Sequence, residues 1–229
     1  MRAGGRYRKL GSIFVLAWLL IVSIISFLPA WSQTTQTATF YPIADAYIDE
    51  ENPDSNYGSS SILKIDNSPT KRPFLKFDLS DFTLPVNRIV SAKLRIYFID
   101  QYEGYWGYEL AVYHVANDTW DESTLTYNNA PELGDKLGGE TINDPNSFIE
   151  INLTNIDQYI SDSDKILTLA LKYPNLADLA SKEYSEAEKW PQLIIEYEPY
   201  TETTTQTITE TITETVTDTM TTTVTETYY

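Results

Sequence analysis

The sequence predicts an all-β fold: two packed antiparallel sheets with one short helix, preceded by a signal segment and followed by a Thr-rich extended tail. Three observations predict it. Apolar residues across the middle of the chain recur with period two, the mark of half-buried strands. Clusters of Asn, Pro, Asp and Gly interrupt them at short intervals. Only one short stretch carries a helical pattern.

The elements follow in order. Residues 1–32 read as a secretory signal: Arg2, Arg6, Arg8 and Lys9 give a basic start, Ile13 to Leu28 an apolar run, and Ala30-Trp31-Ser32 a small-x-small cleavage site before Gln33. The rival reading is an uncleaved anchor, because an apolar run of about 16 residues is only slightly short of a membrane span. Both readings export the rest of the chain, so the expected location is extracellular, secreted or at the cell surface. Membrane contact is expected only through this segment if it stays uncleaved.

Nine strands are expected between residues 38 and 197: Ala38–Tyr41, Ala44–Ile48, Ile62–Ile65, Pro73–Phe77, Ile89–Phe98, Leu110–Val115, Phe148–Ile151, Ile166–Leu171 and Leu193–Tyr197. The fifth shows the pattern most plainly, with Ala92, Leu94, Ile96 and Phe98 alternating against Lys93, Arg95 and Tyr97. Turns are expected at Asn52-Pro53-Asp54, Asn67-Ser68-Pro69, Gly104, Gly107, Gly138-Gly139 and Asn143-Asp144-Pro145. Many short strands with turns between them argue for two packed sheets. A helix is expected from Thr154 as N-cap through Ile156, Tyr159 and Ile160. One domain, 33–199, is long enough for a self-sufficient core.

From Thr201 to Thr227 every odd-numbered residue is threonine, and the even positions alternate apolar residues (Ile208, Ile212, Val216, Val224) with mostly acidic ones (Glu210, Glu214, Asp218, Glu226). β-Branching and the two-residue repeat disfavour a helix. The 200–229 tail is expected to be extended, reaching roughly 90 Å if fully stretched. Its hydroxyl array suits an O-glycosylated stalk. A disordered tail and a strand donated to a neighbouring subunit are the alternatives.

Charge narrows the partners. The chain has 16 Lys and Arg against 33 Asp and Glu. Four of the basic residues and none of the acidic ones lie in 1–32, which leaves 12 against 33, a net −21, for the rest. Such a surface repels nucleic acid and anionic lipid and suits a cation. With no cysteine and one histidine, disulfides, thiol chemistry and a His-based zinc site are excluded or poorly supported. His114 sits in an apolar strand without a readable nucleophile, so a structural role is expected. Acidic residues are too many for any carboxylate pair to stand out as a glycosidase dyad.

Two chemistries remain. The stretch from Asp45 to Asn56, with Asp49, Glu50, Glu51, Asn52 and Asp54, is dense in the oxygen ligands that calcium takes. The run Tyr102-Glu103-Gly104-Tyr105-Trp106-Gly107-Tyr108 places four aromatics in a Gly-punctuated loop, where rings can stack on a sugar. A subunit contact would use the same residue types. Asn117-Asp118-Thr119 and Asn152-Leu153-Thr154 are glycosylation sequons, at Asn117 and Asn152.

Six blocks carry a family resemblance. They are Ala44-Asp45-Ala46-Tyr47-Ile48, Asn56-Tyr57-Gly58-Ser59-Ser60, Leu75-Lys76-Phe77-Asp78-Leu79, Ser91-Ala92-Lys93-Leu94-Arg95-Ile96-Tyr97, Trp120-Asp121-Glu122 continuing to Pro131, and Ala180-Ser181-Lys182-Glu183 before Pro191–Tyr197. In this order, over residues 38–198, they resemble the DNRLRE domain, grouped with carbohydrate-binding module family 96. Tyr127 stands where the family often has tryptophan, and Lys182 where it often has arginine. The resemblance implies a jelly-roll sandwich that is usually secreted, with polysaccharide or surface glycan as partner. Asp45 and Glu183 fall in blocks at opposite ends of the domain, which an ion joining first and last strands would explain. The alternative pairs Glu183 with a basic residue and bonds Asp45 to backbone.

The expected function is thus a non-catalytic extracellular carbohydrate-binding module on a Thr-rich stalk. Its sugar contacts are Tyr102, Tyr105, Trp106 and Tyr108, and its structural calcium is held among Asp45, Asp49, Asp54, Asn56 and Glu183. Trp120 and Tyr127 are expected in the core. A self-associating subunit of a surface layer or filament is the alternative.

Overall fold

Alternation along each strand decides which side chains enter the core, and it generates two sheets face to face. The computed structural model describes residues 34–83, 88–101, 107–160, 165–199, 201–212 and 216–227. The signal segment, Tyr102, Gly104, Tyr105 and Trp106 lie outside the described residues. The strands are β1 (Gln36–Phe40), β2 (Pro42–Asp49), β3 (Ile62–Asn67), β4 (Thr70–Asp78), β5 (Ile89–Gln101), β6 (Glu109–Val115), β7 (Lys136–Thr141), β8 (Ser147–Asn152), β9 (Ile166–Lys172), β10 (Ala177–Ala180) and β11 (Gln192–Tyr197). A single-turn helix α1 (Asp157–Ile160) precedes β9.

All pairings are antiparallel. One sheet runs β3-β10-β5-β8, and β11 with β1 extends it beside the first half of β5. The other runs β4-β9-β6-β7, with β2 added on the far side of β4. The order of β3 to β10 is that of a jelly roll, in which successive strands alternate between sheets except for the β6–β7 hairpin, whose two strands share one. The β3–β4 hairpin joins the two sheets, pairing Asp66 with Lys71 and Asn67 with Thr70.

The main core lies between the sheets. Leu94, Ile96 and Phe98 of β5 and Leu63 and Ile65 of β3 meet Leu75 and Phe77 of β4 and Leu167, Leu169 and Leu171 of β9. A second apolar cluster lies on the outer face of the β4 sheet. There Ala44, Ala46, Ile48, Phe74, Val115 and Ala170 lie beneath Trp120 and Leu125 of the loop that follows β6. Trp120 is buried as expected; its indole N–H donates to Thr168 Oγ1 at 3.2 Å, and Tyr127 packs at the cluster's margin.

Three local expectations are corrected. Gly138 and Gly139 form no turn but lie within β7. A Cβ at Gly138 would come 2.1 Å from the Asn152 carbonyl oxygen, so glycine lets β7 approach the end of β8. Thr154 does not cap the helix: its N–H and hydroxyl both donate to the Leu137 carbonyl at 2.8 Å, and α1 begins after Ile156. The Thr-rich tail does not run out singly. Its backbone folds into a hairpin of β12 (Thr201–Ile212) and β13 (Val216–Thr227), paired from Thr201 with Thr227 to Ile212 with Val216. Among the described residues these two strands pair only with each other.

Candidate functional site

Three carboxylates from distant parts of the chain converge at one end of the sandwich. Asp45 in β2, Glu122 in the loop after β6 and Glu183 after β10 place oxygen atoms within 4.8 Å of one another. Each is held from its own side. Asp45 is 1% exposed; its N–H donates to Glu122 Oε1 at 2.7 Å, and its Oδ2 accepts the Lys182 N–H at 2.7 Å. The Glu122 loop is fixed by Asn56, whose side-chain amide donates to the Glu122 and Leu125 carbonyls at 2.7 and 2.8 Å. Gly58 packs beneath it, where a Cβ would sit 2.1 Å from the Glu122 carbonyl oxygen. Glu183 follows Ser181, whose hydroxyl donates to the Ser60 carbonyl at 2.7 Å and accepts the Glu183 N–H at 3.0 Å.

One ammonium faces these three carboxylates. Lys182 Nζ lies 3.0 Å from Glu122 Oε1 and also contacts Glu183 Oε1. Burial works against its charge, but hydrogen bonds to Glu183 and Glu122 outweigh that and raise its pKa. The balance stays negative. Asp45 Oδ1 and Glu183 Oε2 are buried without a hydrogen-bond partner. Burial, opposed by the Lys182 N–H and reinforced by Glu183, pushes the Asp45 carboxyl up to about 8. At neutral pH that oxygen holds either a proton or a cation. Carboxylate oxygens converging from three segments are the donor set of a hard divalent ion, and the two orphaned oxygens fit such an ion better than they fit an ion pair alone.

The other expected calcium ligands lie elsewhere. Asp49 is taken up by Lys71 at 2.8 Å, the Asn52 side chain and the Glu51 N–H; burial opposes its ionisation, but these contacts hold its pKa below the ordinary carboxylate range. Asp54 accepts from Asn128 Nδ2 at 2.8 Å. Asn56 supports the cluster through the Glu122 loop, and its Oδ1 accepts the Gly58 N–H. Glu122 was not singled out in the sequence, although it stands in the longest family block.

Of the expected sugar contacts only Tyr108 is described, and it is 41% exposed. His114 stacks on Tyr159 with ring centroids 3.8 Å apart. Both sequon asparagines are exposed. In the first, Thr119 Oγ1 donates to Asn117 Oδ1 at 2.7 Å, whereas the Thr154 hydroxyl of the second is turned to Leu137.

The fold is a jelly-roll sandwich with three converging carboxylates at one end. The chain belongs to carbohydrate-binding module family 96, whose sequence model matches residues 36–197, from the first strand of the sandwich to the last. Among solved structures it is similar to the K1 cleaved adhesin domain of Lys-gingipain from Porphyromonas gingivalis W83. That likeness has 13% identity and a TM-score of 0.27, covering 71% of this chain and 95% of the adhesin chain. A comparison with curated proteins finds no match.

Proposed function

We propose that this chain is an extracellular, non-catalytic carbohydrate-binding module whose fold is clamped by a calcium ion at Asp45, Glu122 and Glu183. Membership of the family across the whole sandwich carries the carbohydrate reading. The two partnerless buried oxygens, Asp45 Oδ1 and Glu183 Oε2, support the ion. Such an ion would tie β2 to the segment after β10 and to the loop covering the second core cluster. It would act on stability and not on the sugar. The Thr-rich hairpin serves as a spacer, and the aromatic 102–108 loop is the expected sugar contact.

The test has two arms. Affinity electrophoresis of the full chain through gels containing different polysaccharides reads binding, and Tyr105→Ala/Trp106→Ala asks whether the 102–108 loop supplies it. Retention by no polysaccharide would reject the binding reading. Isothermal titration with calcium and with magnesium reads the ion; no heat from calcium would reject the clamp.

A further inference from the structure

One sheet edge carries none of the usual protection. β1 ends its sheet: it pairs with β11 in unbroken register, and among the described residues no strand lies on its other side. An open edge offers a row of backbone donors and acceptors to any extended partner, and proteins blunt such edges with charge, proline or a bulge. Two other end strands show these devices. β7 carries Lys136 and Glu140, with a register shift against β6. β2 carries Pro42 and a register shift, and its Asp45 N–H is taken by Glu122. From Gln33 to Ala44, by contrast, no residue is charged, and β1 itself holds neither proline nor glycine.

The two faces of β1 differ. Thr37 and Thr39 are exposed, whereas Ala38 and Phe40 pack against the main core. Beside Ala38 and Phe40 opens a cavity of about 380 Å³, with Phe82 and Tyr197 in its wall together with Asp81 and Thr83. The Phe82 ring lies edge-on to both neighbours, with centroids 6.2 Å from Phe40 and 5.6 Å from Tyr197. The edge therefore combines free backbone groups, a threonine face and an aromatic-walled space on the opposite face.

The chain contains a strand with the matching pattern. Thr34 to Thr39 repeats Thr204 to Thr209 with one difference, Ala38 for Ile208. In the Thr-rich ribbon, that segment of β12 pairs with residues 219–224 of β13. β13 thus already takes a partner of almost the sequence of β1. Its uncharged stretch, Thr219 to Thr225, lies between Asp218 and Glu226 and is long enough to cover all five residues of β1. By alternation its odd-numbered row is threonine throughout and continues Thr37 and Thr39. Its even-numbered row holds Met220 and Val224 and continues Ala38 and Phe40 on the side of the cavity. In its own copy the ribbon pairs only with itself among the described residues. We propose that the free edge of β13 from a second copy of this chain adds to β1 as a further antiparallel strand. Donor and acceptor are different surfaces of each copy, so the contact is heterologous and the assembly stays open-ended. The ribbon then couples neighbouring modules as well as spacing them.

Sedimentation velocity of the full chain over a concentration series tests this, beside two variants whose folding is verified by melting curves. Thr37→Glu/Thr39→Glu puts carboxylates at two exposed positions of the acceptor strand and keeps the ribbon, whereas truncation after Pro199 keeps β1 and removes the ribbon. The expected result is a wild-type mass that climbs past the dimer as concentration rises, with association weaker by about tenfold or more for each variant alone. An equimolar mixture of the two variants should form a 1:1 complex, because one supplies the ribbon and the other the edge. A wild type that stays monomeric, or a mixture that forms no complex, would overturn the proposal. Truncated chains that dimerise as strongly as the wild type would mean that β1 pairs with β1. Undiminished assembly of Thr37→Glu/Thr39→Glu would mean that ribbons pair with ribbons. Either result would overturn it, and so would early melting of the truncated chain in dilute solution, which would place the ribbon on its own β1.

Discussion

Asp45→Asn is the perturbation that separates an ion site from an ion pair. Asp45 is 1% exposed, and burial pushes its carboxyl from 3.8 to about 8. One pKa unit corresponds to about 1.4 kcal/mol, so at pH 7.5 the folded state without an ion gives up several kcal/mol relative to an unperturbed carboxyl. Asparagine is nearly isosteric, keeps an acceptor for the Lys182 N–H and removes the titration. In chelator at pH 7.5 the variant is therefore expected to melt above the wild type. Calcium at a hundredfold excess over Kd should then raise the wild type by about 2.7 kcal/mol. For a domain of this size that is roughly 5–10 °C. The variant should respond weakly or not at all. The assay is a melting curve of both proteins in chelator, in millimolar calcium and in magnesium. If Asp45→Asn melts below the wild type in chelator, or if calcium moves both midpoints equally, the cluster is a structural ion pair and the clamp fails.

Further outcomes follow from the same contacts. Because the folded state raises the Asp45 pKa, it binds more protons than the unfolded chain between about pH 4 and about pH 8; in chelator, wild-type stability relative to Asp45→Asn should be greatest near pH 4 and fall as pH rises through that window, and a difference independent of pH would contradict the assignment. Trp120→Ala should cost about 3–5 kcal/mol in denaturant unfolding, since the ring is 8% exposed, packs against Phe74 and seals the second cluster. Gly58→Ala should lower both stability and the calcium response, because its Cβ would displace the Glu122 backbone; titration calorimetry on the variant reads the second effect. Truncation after Pro199 should leave the melting midpoint within a degree or so, as β12 and β13 pair only with each other among the described residues; early unfolding would instead mean that the tract completes the sandwich.

All nine strands read from alternation are present, because burying one face of a sheet writes itself into every second residue. Ala92, Leu94, Ile96 and Phe98 are all 2% exposed or less. The two strands not foreseen lack that signature. β10 is too short and is buried at all four positions, Ala177 to Ala180, so no polar face marks it. β7 holds Gly138 and Gly139, residues that signal a turn locally but here admit the close approach of β8.

The ion cluster divides the same way. The sequence alone determined that the chain is acidic, strand-rich and without cysteine, and its family blocks already contained Asp45, Glu122 and Glu183. Local acid density pointed instead to Asp49 and Asp54, which neighbouring side chains satisfy at short range: Lys71 and Asn52 for the first, Asn128 for the second. Only the jelly-roll crossing decided which carboxylates would meet. It brings residue 45 against carboxylates 77 and 138 positions away, encloses them together, and leaves two oxygens that water can no longer reach. Charge density is a property of neighbours along the chain, whereas desolvation is a property of neighbours in space, and it is desolvation that makes a carboxylate need a cation.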